Sequence, residues 1–434
     1  MEKESRRSFI KKSAVTALGI SALPYGLYGS VGANDTINIG VIGLGFGAVN
    51  IRKMLEGTPW VRCHALCDVD AIRLDKYAGE LKKDFPIQAS EILLYKDFRK
   101  LLENKDIDGV IIATPDHWHT YIYAEASKAG KAIYIEKPTG HSIQDCHLTI
   151  DLQKKYQNVV TTGLWHVSLN YFIDAFEILK SGVLGDVNKV HAWITKNEKP
   201  VQYKLPQEIP SSLDYEMWQG PAATHPYAVE RLNNWRFFWD YGGGRQADWL
   251  HYLDSAFDGL MALGMERKCP NSVYSSGYQK PNSMLEAPAG QTTIFQFNNY
   301  QIVWEHQVAS LYGREDGVAW IGSQATLVCN RTGYEIIPQK SSGVEPVKVQ
   351  GSYGNQYNHM INWSNCIKEG NINTNSPIEK GSFVSNVANI GNISYRLGGQ
   401  SLEYLPDVRK FKNNAAADEY IQSPYQNGWE YPKV

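Results

Sequence analysis

Hydrophobic residues in the first 160 positions form short runs that alternate with longer amphipathic segments. The runs are rich in Val and Ile, which is typical of strands buried on both faces; they span 37–42, 61–67, 109–113, 132–135 and 158–162. Helical spacing and capping residues between them predict helices over 46–57, 70–83, 116–128 and 142–156. This alternation predicts an α/β domain built on a doubly wound parallel sheet.

The pattern changes beyond residue 187, where polar and apolar residues alternate along longer strands. Such strands span 189–195, 292–297, 301–306 and 317–321. Alternation of this kind favours a large, open and mostly antiparallel sheet with one buried face. We therefore expect two domains, residues 34–163 and an α+β domain over residues 164–434. A helical stretch over 382–397 is expected to pack back on the first domain.

The first 33 residues have a different character from the rest of the chain. Arg6 and Arg7 precede an apolar stretch that glycines and Pro24 interrupt. A basic helix or a membrane anchor is an alternative, but a membrane span needs about 20 apolar residues. The pattern is typical of a twin-arginine signal peptide. We therefore expect export, to the periplasm or further, through the twin-arginine machinery, which carries proteins already folded.

The composition is that of a packed globular protein, with 43% hydrophobic and 20% charged residues in a chain of 434. The net charge of -2 provides no basic field for a phosphate backbone, which argues against a nucleic-acid partner. Residues 1–33 hold five of the 43 cationic side chains and two of the 45 acidic ones, so the remainder has a net charge of -5. The six cysteines are too few and too scattered for a disulfide framework, and no metal site is expected.

A glycine-rich loop follows the first predicted strand and reads Gly43-Leu44-Gly45-Phe46-Gly47-Ala48. Gly43 permits a tight turn, and Gly45 lets a pyrophosphate approach bare backbone at the helix N-terminus. Asp68, at the end of the second strand, would accept a hydrogen bond from the ribose 2′-hydroxyl and repel a 2′-phosphate. Asp70 either shares that role or caps the next helix. The fingerprint predicts a Rossmann domain that binds NAD, with NADP less favoured.

Two further motifs follow the next strands, at the sheet edge where ligands bind in such folds. They read Thr114-Pro115-Asp116-His117-Trp118-His119 and Glu136-Lys137-Pro138. Asp116 is expected to cap the helix that follows. Together with the glycine loop, Asp68 and Tyr241-Gly242-Gly243-Gly244, these motifs resemble the Gfo/Idh/MocA family of glucose-fructose oxidoreductase, inositol dehydrogenase and related proteins. The resemblance covers nearly all of residues 34–434.

The resemblance implies that Lys137 is catalytic and that Glu136 shapes the cofactor pocket. An ammonium beside the nicotinamide can hold the reacting hydroxyl and stabilise an alkoxide. In the family the segment containing Thr114, Pro115, His117 and His119 borders the cofactor. Two histidines two residues apart cannot face one side of a helix, so one ring is expected to face the site and the other to cap or pack.

The family also has an aspartate and a histidine spaced i and i+4 after a glycine run. Here Asp248 and His251 are spaced i and i+3, a departure of one residue. Both spacings fall on one helix face, so the resemblance implies that His251 is the general base and that Asp248 binds or orients substrate. Alternatively, Asp254 pairs with His251, or the missing residue has altered the chemistry.

Several aromatic and basic residues are candidates for contacting a substrate: Trp118, His166, Trp235 and Arg236. Aromatic faces stack on sugar C–H groups, so a small carbohydrate is the expected substrate. Core packing is the alternative for the tryptophans, a buried core histidine for His166, and a structural ion pair for Arg236. Family members are often dimers or tetramers, so we expect a homo-oligomer whose second domain carries both the substrate site and the oligomer interface.

The expected function is NAD-dependent oxidation or reduction of a secondary hydroxyl of a sugar or glycoside, C3 of a glycoside being a specific case. Free NAD is scarce outside the cytoplasm, so the cofactor is expected to be tightly held. One alternative is a redox-assisted glycosidase like the α-N-acetylgalactosaminidases of the family, although those tend to lack Glu-Lys-Pro. A second alternative is a non-catalytic sensor that holds NAD.

Overall fold

The computed structural model describes residues 36–354 and 356–434. The predicted signal peptide, residues 1–33, lies outside the described residues, so export remains a prediction. Within the described part of the chain, no helix combines the length and apolar character needed to cross a bilayer. All six cysteines are free thiols, and five of them are buried.

The first domain contains six parallel strands in the order β3-β2-β1-β4-β5-β6. The strands are β1 (Ile37–Ile42), β2 (Val61–Cys67), β3 (Leu93–Tyr95), β4 (Gly109–Ile112), β5 (Ala132–Ile135) and β6 (Val160–Thr162). The helices between them are α1 (Phe46–Gly57), α2 (Ala71–Asp84), α3 (Phe98–Glu103), α4 (Asp116–Lys128) and α5 (Ile143–Tyr156). The doubly wound prediction is confirmed. The strand order reverses between β1 and β4, and a crevice opens at such a point beyond the carboxyl ends of the strands.

Sequence reasoning missed β3 and α3. The strand β3 has only three residues, and both of its leucines are exposed at the sheet edge. The helix α3 has six residues, which is too short for a helical repeat of apolar positions to stand out. Both elements lie at one margin of the sheet.

The second domain is built on eight strands in the order β14-β13-β12-β11-β7-β10-β9-β8. They are β7 (Val187–Thr195), β8 (Ser272–Tyr278), β9 (Gly290–Gln296), β10 (Gln301–Gln307), β11 (Asp316–Gly322), β12 (Ala325–Asn330), β13 (Gly333–Pro338) and β14 (Val347–Gln350). Only β7 and β10 pair in parallel within this sheet, so the mostly antiparallel prediction is confirmed. A small hairpin joins β15 (Tyr404–Leu405) to β16 (Lys410–Phe411).

Eight further α-helices follow β6 in the described part of the chain. They are α6 (Asn170–Lys180), α7 (Tyr215–Gln219), α8 (Val229–Asn233), α9 (Gly244–Asp248), α10 (Leu250–Ala262), α11 (Tyr357–Glu369), α12 (Ile378–Arg396) and α13 (Ala415–Asp418). Among them, α6, α9, α10 and α12 contact this sheet. The largest apolar cluster joins α6, α10 and α12 to the sheet, with Trp304 and Trp320 fully buried in it.

The helix α12 packs on both domains, as expected for the stretch 382–397, although it begins earlier, at Ile378. Ser382 Oγ lies 3.1 Å from Thr139 Oγ1 and 2.7 Å from Thr149 Oγ1. A β-carbon at Gly381 would lie 2.6 Å from Thr162 Cγ2, so the helix backbone meets the first domain closely. This buried polar seam holds the two sheets in a fixed relation, which the site between them requires.

Candidate functional site

A cavity of about 440 Å³ opens at the carboxyl ends of β1, β2, β4 and β5, within the size range of small-molecule sites. At the Asp68 end its lining includes Gly43, Gly45, Phe46, Asp68, Asp70, Arg73 and Lys96. At the Lys137 end it includes Asp116, Trp118, His119, Lys137, Arg236 and Asp248. Thr114, Pro115, Glu136 and Trp235 also line it. The structure therefore brings most of the predicted site residues together, from both domains.

The glycine turn shapes the Asp68 end. Gly43 has φ of +88°, and a β-carbon there would lie 2.7 Å from backbone atoms of Ala113. Gly45 precedes α1, and nothing stands within 4 Å of the place its β-carbon would take. The first backbone N–H groups of α1 therefore face open space that a pyrophosphate fits. Phe46 is 56% exposed at the start of the helix.

The structure corrects the prediction that Gly47 binds the cofactor. It does not line the cavity, and a β-carbon at Gly47 would lie 2.8 Å from Val41 Cγ1 and 3.3 Å from Ala113 Cβ. Gly47 thus allows α1 to lie close against β1, which is a packing role. The third glycine of the loop differs from Gly43 and Gly45 because it faces the sheet.

Asp68 is fixed by two backbone donors. Its Oδ2 accepts from the Leu44 N–H at 2.8 Å, and its Oδ1 accepts from the Asp70 N–H at 3.0 Å. Burial raises the pKa of Asp68, while these two hydrogen bonds and Arg73 lower it. The remaining lone pairs suit a ribose diol. Asp70 accepts from the Ile72 N–H at 3.1 Å and so caps α2, the second of the two roles considered for it.

An ion cluster surrounds Asp248 at the Lys137 end. Lys137 Nζ donates to the carbonyl oxygen of Asp248 and lies 3.2 Å from its Oδ1. Arg236 Nε donates to Oδ1 at 3.0 Å, and Arg245 donates to Oδ2 at 2.9 Å. Burial alone would raise the pKa of Asp248, but the charges of Lys137, Arg236 and Arg245 hold it well below its usual range. Asp248 is therefore a permanent carboxylate that orients Lys137.

The expectation that Asp248 and His251 share one helix face is wrong. The helix α9 ends at Asp248 and α10 begins at Leu250, with Trp249 between them at φ -108° and ψ 37°. His251 does not line the cavity, and its Nε2 donates to the Gly163 carbonyl at 2.9 Å. Burial, with Arg331 and Lys137 nearby, holds the pKa of His251 well below its usual value. Its role as general base stays a prediction.

The alternative partner of His251 is also engaged elsewhere. Asp254 Oδ2 lies 3.1 Å from Lys380 Nζ, and its Oδ1 lies 3.9 Å from Arg267. This ion cluster is buried at the junction of α10 and α12. Its position there indicates a structural role for Asp254.

The two histidines of α4 lie in different surroundings, and only His119 lines the cavity. His119 lines the cavity, with Nδ1 2.6 Å from the Pro138 oxygen and Nε2 2.9 Å from the Thr114 oxygen. His117 instead directs Nε2 toward the Trp218 oxygen at 3.1 Å and does not line the cavity. Burial lowers the pKa of His117 to about 3 and that of His119 to about 4. The assignment of His117 to the cofactor is therefore corrected to packing.

His166 lies away from the cavity and fits the core-histidine alternative. Its Nδ1 is 3.0 Å from Ser255 Oγ, and Arg331 Nε donates to its Nε2 at 2.8 Å. Arg331, which follows β12, lies over the rings of Trp165 and Trp249 at 4.6 and 5.1 Å. Sequence reasoning missed Arg331, because a lone arginine in a hairpin turn carries no motif.

The other substrate candidates line the cavity. Trp118 is held by a hydrogen bond from Nε1 to the Trp218 oxygen at 3.1 Å and by an edge contact with Trp429 at 4.9 Å. Trp235 and Arg236 come from a short 3-10 turn, with the guanidinium 4.3 Å from the indole. Arg236 also pairs with Asp248, so the structural alternative considered for it holds as well.

Asp116 is the main residue whose place in the site sequence reasoning missed. It is 5% exposed and lines the cavity at the first residue of α4. Burial raises its pKa to about 7, even though Lys137 and Arg236 lower it. The signal in the sequence is an acid just beyond a strand that ends at the ligand edge, but a helix cap explains an acid at that position equally well.

Among the described residues, no group of three or more His, Cys, Asp or Glu side chains could hold a metal ion. The cavity chemistry is instead that of backbone donors, one ribose-facing carboxylate and an ammonium. These features match what a dinucleotide requires.

Comparison with known proteins gives two family matches. Residues 37–164 match the model described as oxidoreductase family, NAD-binding Rossmann fold. Residues 178–286 match the model described as oxidoreductase family, C-terminal alpha/beta domain. The two models together cover more than half of the chain.

Curated relatives match part of the chain. Inositol 2-dehydrogenase of Salmonella typhimurium is 29% identical over 188 residues, which is 42% of this chain and 53% of that protein. A glycosyl hydrolase family 109 protein of Solibacter usitatus is 30% identical over 155 residues, 34% of this chain and 35% of that protein. The match thus spans about half the length of the inositol dehydrogenase.

Solved structures match over most of the chain. Aldose-aldose oxidoreductase from Caulobacter crescentus, complexed with glycerol, has a TM-score of 0.62 at 19% identity and covers 85% of this chain and 99% of its own. Levoglucosan dehydrogenase with NADH and L-sorbose has a TM-score of 0.63 at 16% identity, with 85% and 99% coverage. At these identities the likeness establishes the fold.

Proposed function

This chain belongs to the Gfo/Idh/MocA family of oxidoreductases, and on that premise we propose that it oxidises or reduces a secondary hydroxyl of a sugar or glycoside with NAD. The observation that carries the proposal is that one cavity has a dinucleotide fingerprint at one end and a fixed ammonium at the other. Fold alone would not support it, because the same sheet hosts many activities.

The residues of the Asp68 end fit NAD. The pyrophosphate would lie on the N-terminus of α1 beside Gly45, and the ribose diol would bind the Asp68 carboxylate. A 2′-phosphate would meet that carboxylate, which favours NAD over NADP. When bound, NAD supplies the hydride acceptor of the reaction.

Lys137 would hold the substrate oxygen. Asp248 binds the ammonium through its backbone carbonyl and its carboxylate, which fixes Nζ at the cavity wall. A positioned cation stabilises the negative charge that develops on the oxygen as hydride leaves. Arg236, bound to the same carboxylate, adds positive potential at this end.

The substrate class rests on the relatives and on the aromatic wall. Proteins similar to this chain bear the names inositol 2-dehydrogenase, aldose-aldose oxidoreductase and levoglucosan dehydrogenase. Trp235 lines the cavity and offers a ring on which sugar C–H groups can stack, whereas Trp118 also lines it but is 4% exposed and packed against other rings. A carbohydrate or cyclic polyol fits both facts.

A second candidate is redox-assisted glycoside cleavage, which the similarity to glycosyl hydrolase family 109 proteins favours. Oxidation at C3 acidifies the C2 proton, elimination expels the C1 group, and addition of water with return of the hydride completes the cleavage. The Glu136-Lys137-Pro138 motif favours the dehydrogenase instead. The ion cluster that orients Lys137 argues against a sensor that only binds NAD, because such a sensor needs no positioned ammonium.

We further propose that the chain is exported by the twin-arginine route, to the periplasm or beyond, with NAD already captured, and that it works as a homo-oligomer. The support is the Arg6-Arg7 sequence before an apolar stretch and the open sheet of the second domain. Capture before export would supply a cofactor that is scarce outside the cytoplasm.

The function is tested on the purified chain. Nucleotide released by denaturation is identified by mass spectrometry, and the protein is incubated with inositols, aldoses and methyl and aryl glycosides. Ketone product with matching NADH supports the dehydrogenase. Cleaved glycoside with no net change in NAD supports the second candidate, and neither product with any compound would contradict both.

A further inference from the structure

Acid and base groups crowd the Lys137 end of the cavity, and most of them are already engaged. Asp248 is ion-paired with Lys137, Arg236 and Arg245, which keeps it ionised. His119 has a carbonyl oxygen against each ring nitrogen, so neither nitrogen is left to take a proton from a ligand. These two side chains therefore position the site without exchanging protons with a substrate.

Glu136 is held by side-chain hydrogen bonds as well, whereas the hydrogen bond to Asp116 comes from the backbone. Glu136 Oε1 accepts from Asn50 at 2.7 Å and from the Tyr134 hydroxyl at 3.2 Å, and Oε2 accepts from the Lys137 N–H at 3.2 Å. Asp116 lies on the same cavity wall and is 5% exposed. It receives a backbone hydrogen bond from Gly243, while the cations that face it are bonded to Asp248.

We propose that Asp116 is the proton acceptor of the reaction, in place of His251. The proposal rests on the function proposed above and assigns its acid-base group. Asp116 lines the same cavity as Lys137, whereas His251 is hydrogen-bonded to the Gly163 carbonyl and does not line the cavity.

Oxidation of the substrate breaks two bonds, O–H and C–H. The substrate O–H bond breaks and its proton goes to the Asp116 carboxylate, while Lys137 holds the oxygen. The C–H bond breaks, its electron pair and hydrogen pass to the nicotinamide as hydride, and a C=O bond forms. Asp116 then returns the proton to water through the open cavity, and in the reverse direction it donates that proton to the alkoxide.

The surroundings of Asp116 tune it for this exchange. Burial raises its pKa, Lys137 and Arg236 lower it, and Asp248 raises it, with a result of about 7. A group that titrates near the working pH serves best as an acid-base catalyst. The carboxylate form needed for oxidation therefore accumulates above pH 7, and the acid form needed for reduction accumulates below it.

The first test measures protons and requires no substrate. Binding of the positively charged nicotinamide in this cavity would lower the pKa of Asp116, so NAD binding at pH 7 would release about half a proton per site. Release is measured with a pH-indicator dye or by calorimetry in buffers of different ionisation enthalpy. Asp116→Asn should abolish this component, and Asp174→Asn should retain it, because Asp174 is also partly buried with a raised pKa but lies on α6.

The second test measures turnover with the best compound of the sugar panel. Asp116→Asn should lower kcat/KM on the order of 10²-fold or more and should remove the limb near pH 7, meaning the change of slope there in the plot of log kcat/KM against pH. The Kd of NAD should change by less than about threefold. Asp116→Ala with added formate should regain part of the rate, because formate fits the space that the side chain leaves. The Asp174→Asn control should keep both the rate and the limb.

The outcomes separate this proposal from the function it rests on. A chain that neither binds NAD nor transfers hydride contradicts the proposed function. A chain that does both, while Asp116→Asn keeps the wild-type rate, pH limb and proton release, contradicts the assignment of Asp116 alone. Loss of the limb in His251→Gln but not in Asp116→Asn would return the role to His251.

Discussion

The two ends of the cavity are built in different ways. The Asp68 end comes from one βαβ unit, in which Gly43, Gly45 and Asp68 lie within 26 residues of one another. The Lys137 end joins α4, the β5 loop, a 3-10 turn and α9, which span residues 116–248 and both domains. The Asp68 end is thus local in sequence, and the Lys137 end exists only once both sheets have packed.

The difference extends to electrostatics. At the Asp68 end, backbone N–H groups fix one carboxylate. At the Lys137 end, neighbouring cations lower the pKa of both carboxyl groups against the effect of burial, so Asp248 stays ionised while the pKa of Asp116 is about 7. Mutations at the first end should therefore change binding, and mutations at the second should change chemistry and pH dependence.

The largest effect is expected from Lys137→Ala. Removing the ammonium should lower kcat on the order of 10³-fold, because the cation acts on charge that develops in the transition state. The Kd of NAD should change by no more than a few fold, as measured by NADH fluorescence. Lys180→Ala on α6, an exposed lysine paired with Glu177, is the control and should match the wild type. Normal turnover in Lys137→Ala would contradict the division between the two ends.

The two aspartates of the Lys137 end should contribute differently to the pH dependence of folding stability. The folded pKa of Asp116 is raised to about 7, so the folded state binds more protons and its stability falls as pH rises from about 4 to 7. Asp116→Asn should remove this loss and gain about 2–4 kcal/mol relative to the wild type at pH 8. Urea unfolding at pH 5 and pH 8 measures the difference, and equal pH dependence in both proteins would contradict it.

Asp248→Asn is the counterpart. Its folded pKa is depressed, so its contribution is fully present above the unfolded value of about 4 and is lost only at lower pH. Because Asp248 also raises the pKa of Asp116, the variant is measured in an Asp116→Asn background. There it should lose about 3–5 kcal/mol, the cost of breaking a buried ion cluster, and the loss should be constant from pH 5 to 8. A penalty that fades between pH 5 and 8 would show that Asp248 titrates there.

Cofactor choice should change at the Asp68 end. Asp68→Ala removes the ribose acceptor and the repulsion of a 2′-phosphate, and Arg73 and Lys96 line the same end. The preference for NAD over NADP should fall about ten- to a hundredfold in Kd. Asn414→Ala is the control, which loses the cap of α13 and so stability, but should keep the preference because Asn414 does not line the cavity. An unchanged preference in Asp68→Ala would show that Asp68 is structural.

The smallest effects distinguish the glycines. Gly45→Ala should weaken NAD on the order of tenfold without lowering the melting temperature, because its β-carbon stands in open space. Gly43→Ala should lower stability by about 1–3 kcal/mol, because φ is +88° and the backbone of Ala113 is 2.7 Å away. Titration calorimetry and thermal unfolding of both variants make the comparison.

Most of the fold followed from the sequence because its signals are local. Buried Val and Ile runs separated by capped helices specify a parallel sheet, and Gly43, Gly45 and Asp68 mark its ligand edge. The short edge strand β3 and the helix α3 were missed because neither is long enough to show a period. The return of α12 to the first domain was anticipated, but its start was placed four residues late.

The site was less predictable where its residues depend on tertiary packing. Asp248 and His251 were expected on one helix, but the helix is interrupted at Trp249, and the histidine is hydrogen-bonded to Gly163. Asp116 was taken for a cap because its neighbours across the cavity, Lys137 and Asp248, are distant in sequence. Burial and charge at such a place come from segments that no local pattern relates.

One measurement tests hydride transfer at the Lys137 end most directly. The purified chain, loaded with NAD, is incubated with inositols and methyl glycosides deuterated at every carbon, and the nicotinamide is recovered for mass spectrometry. We predict deuterium at C4 of the nicotinamide with the wild type and, over the same short incubation, on the order of 10³-fold less with Lys137→Ala, although both bind NAD. A wild type that binds NAD but leaves the nicotinamide unlabelled with every compound would contradict the proposed oxidoreductase.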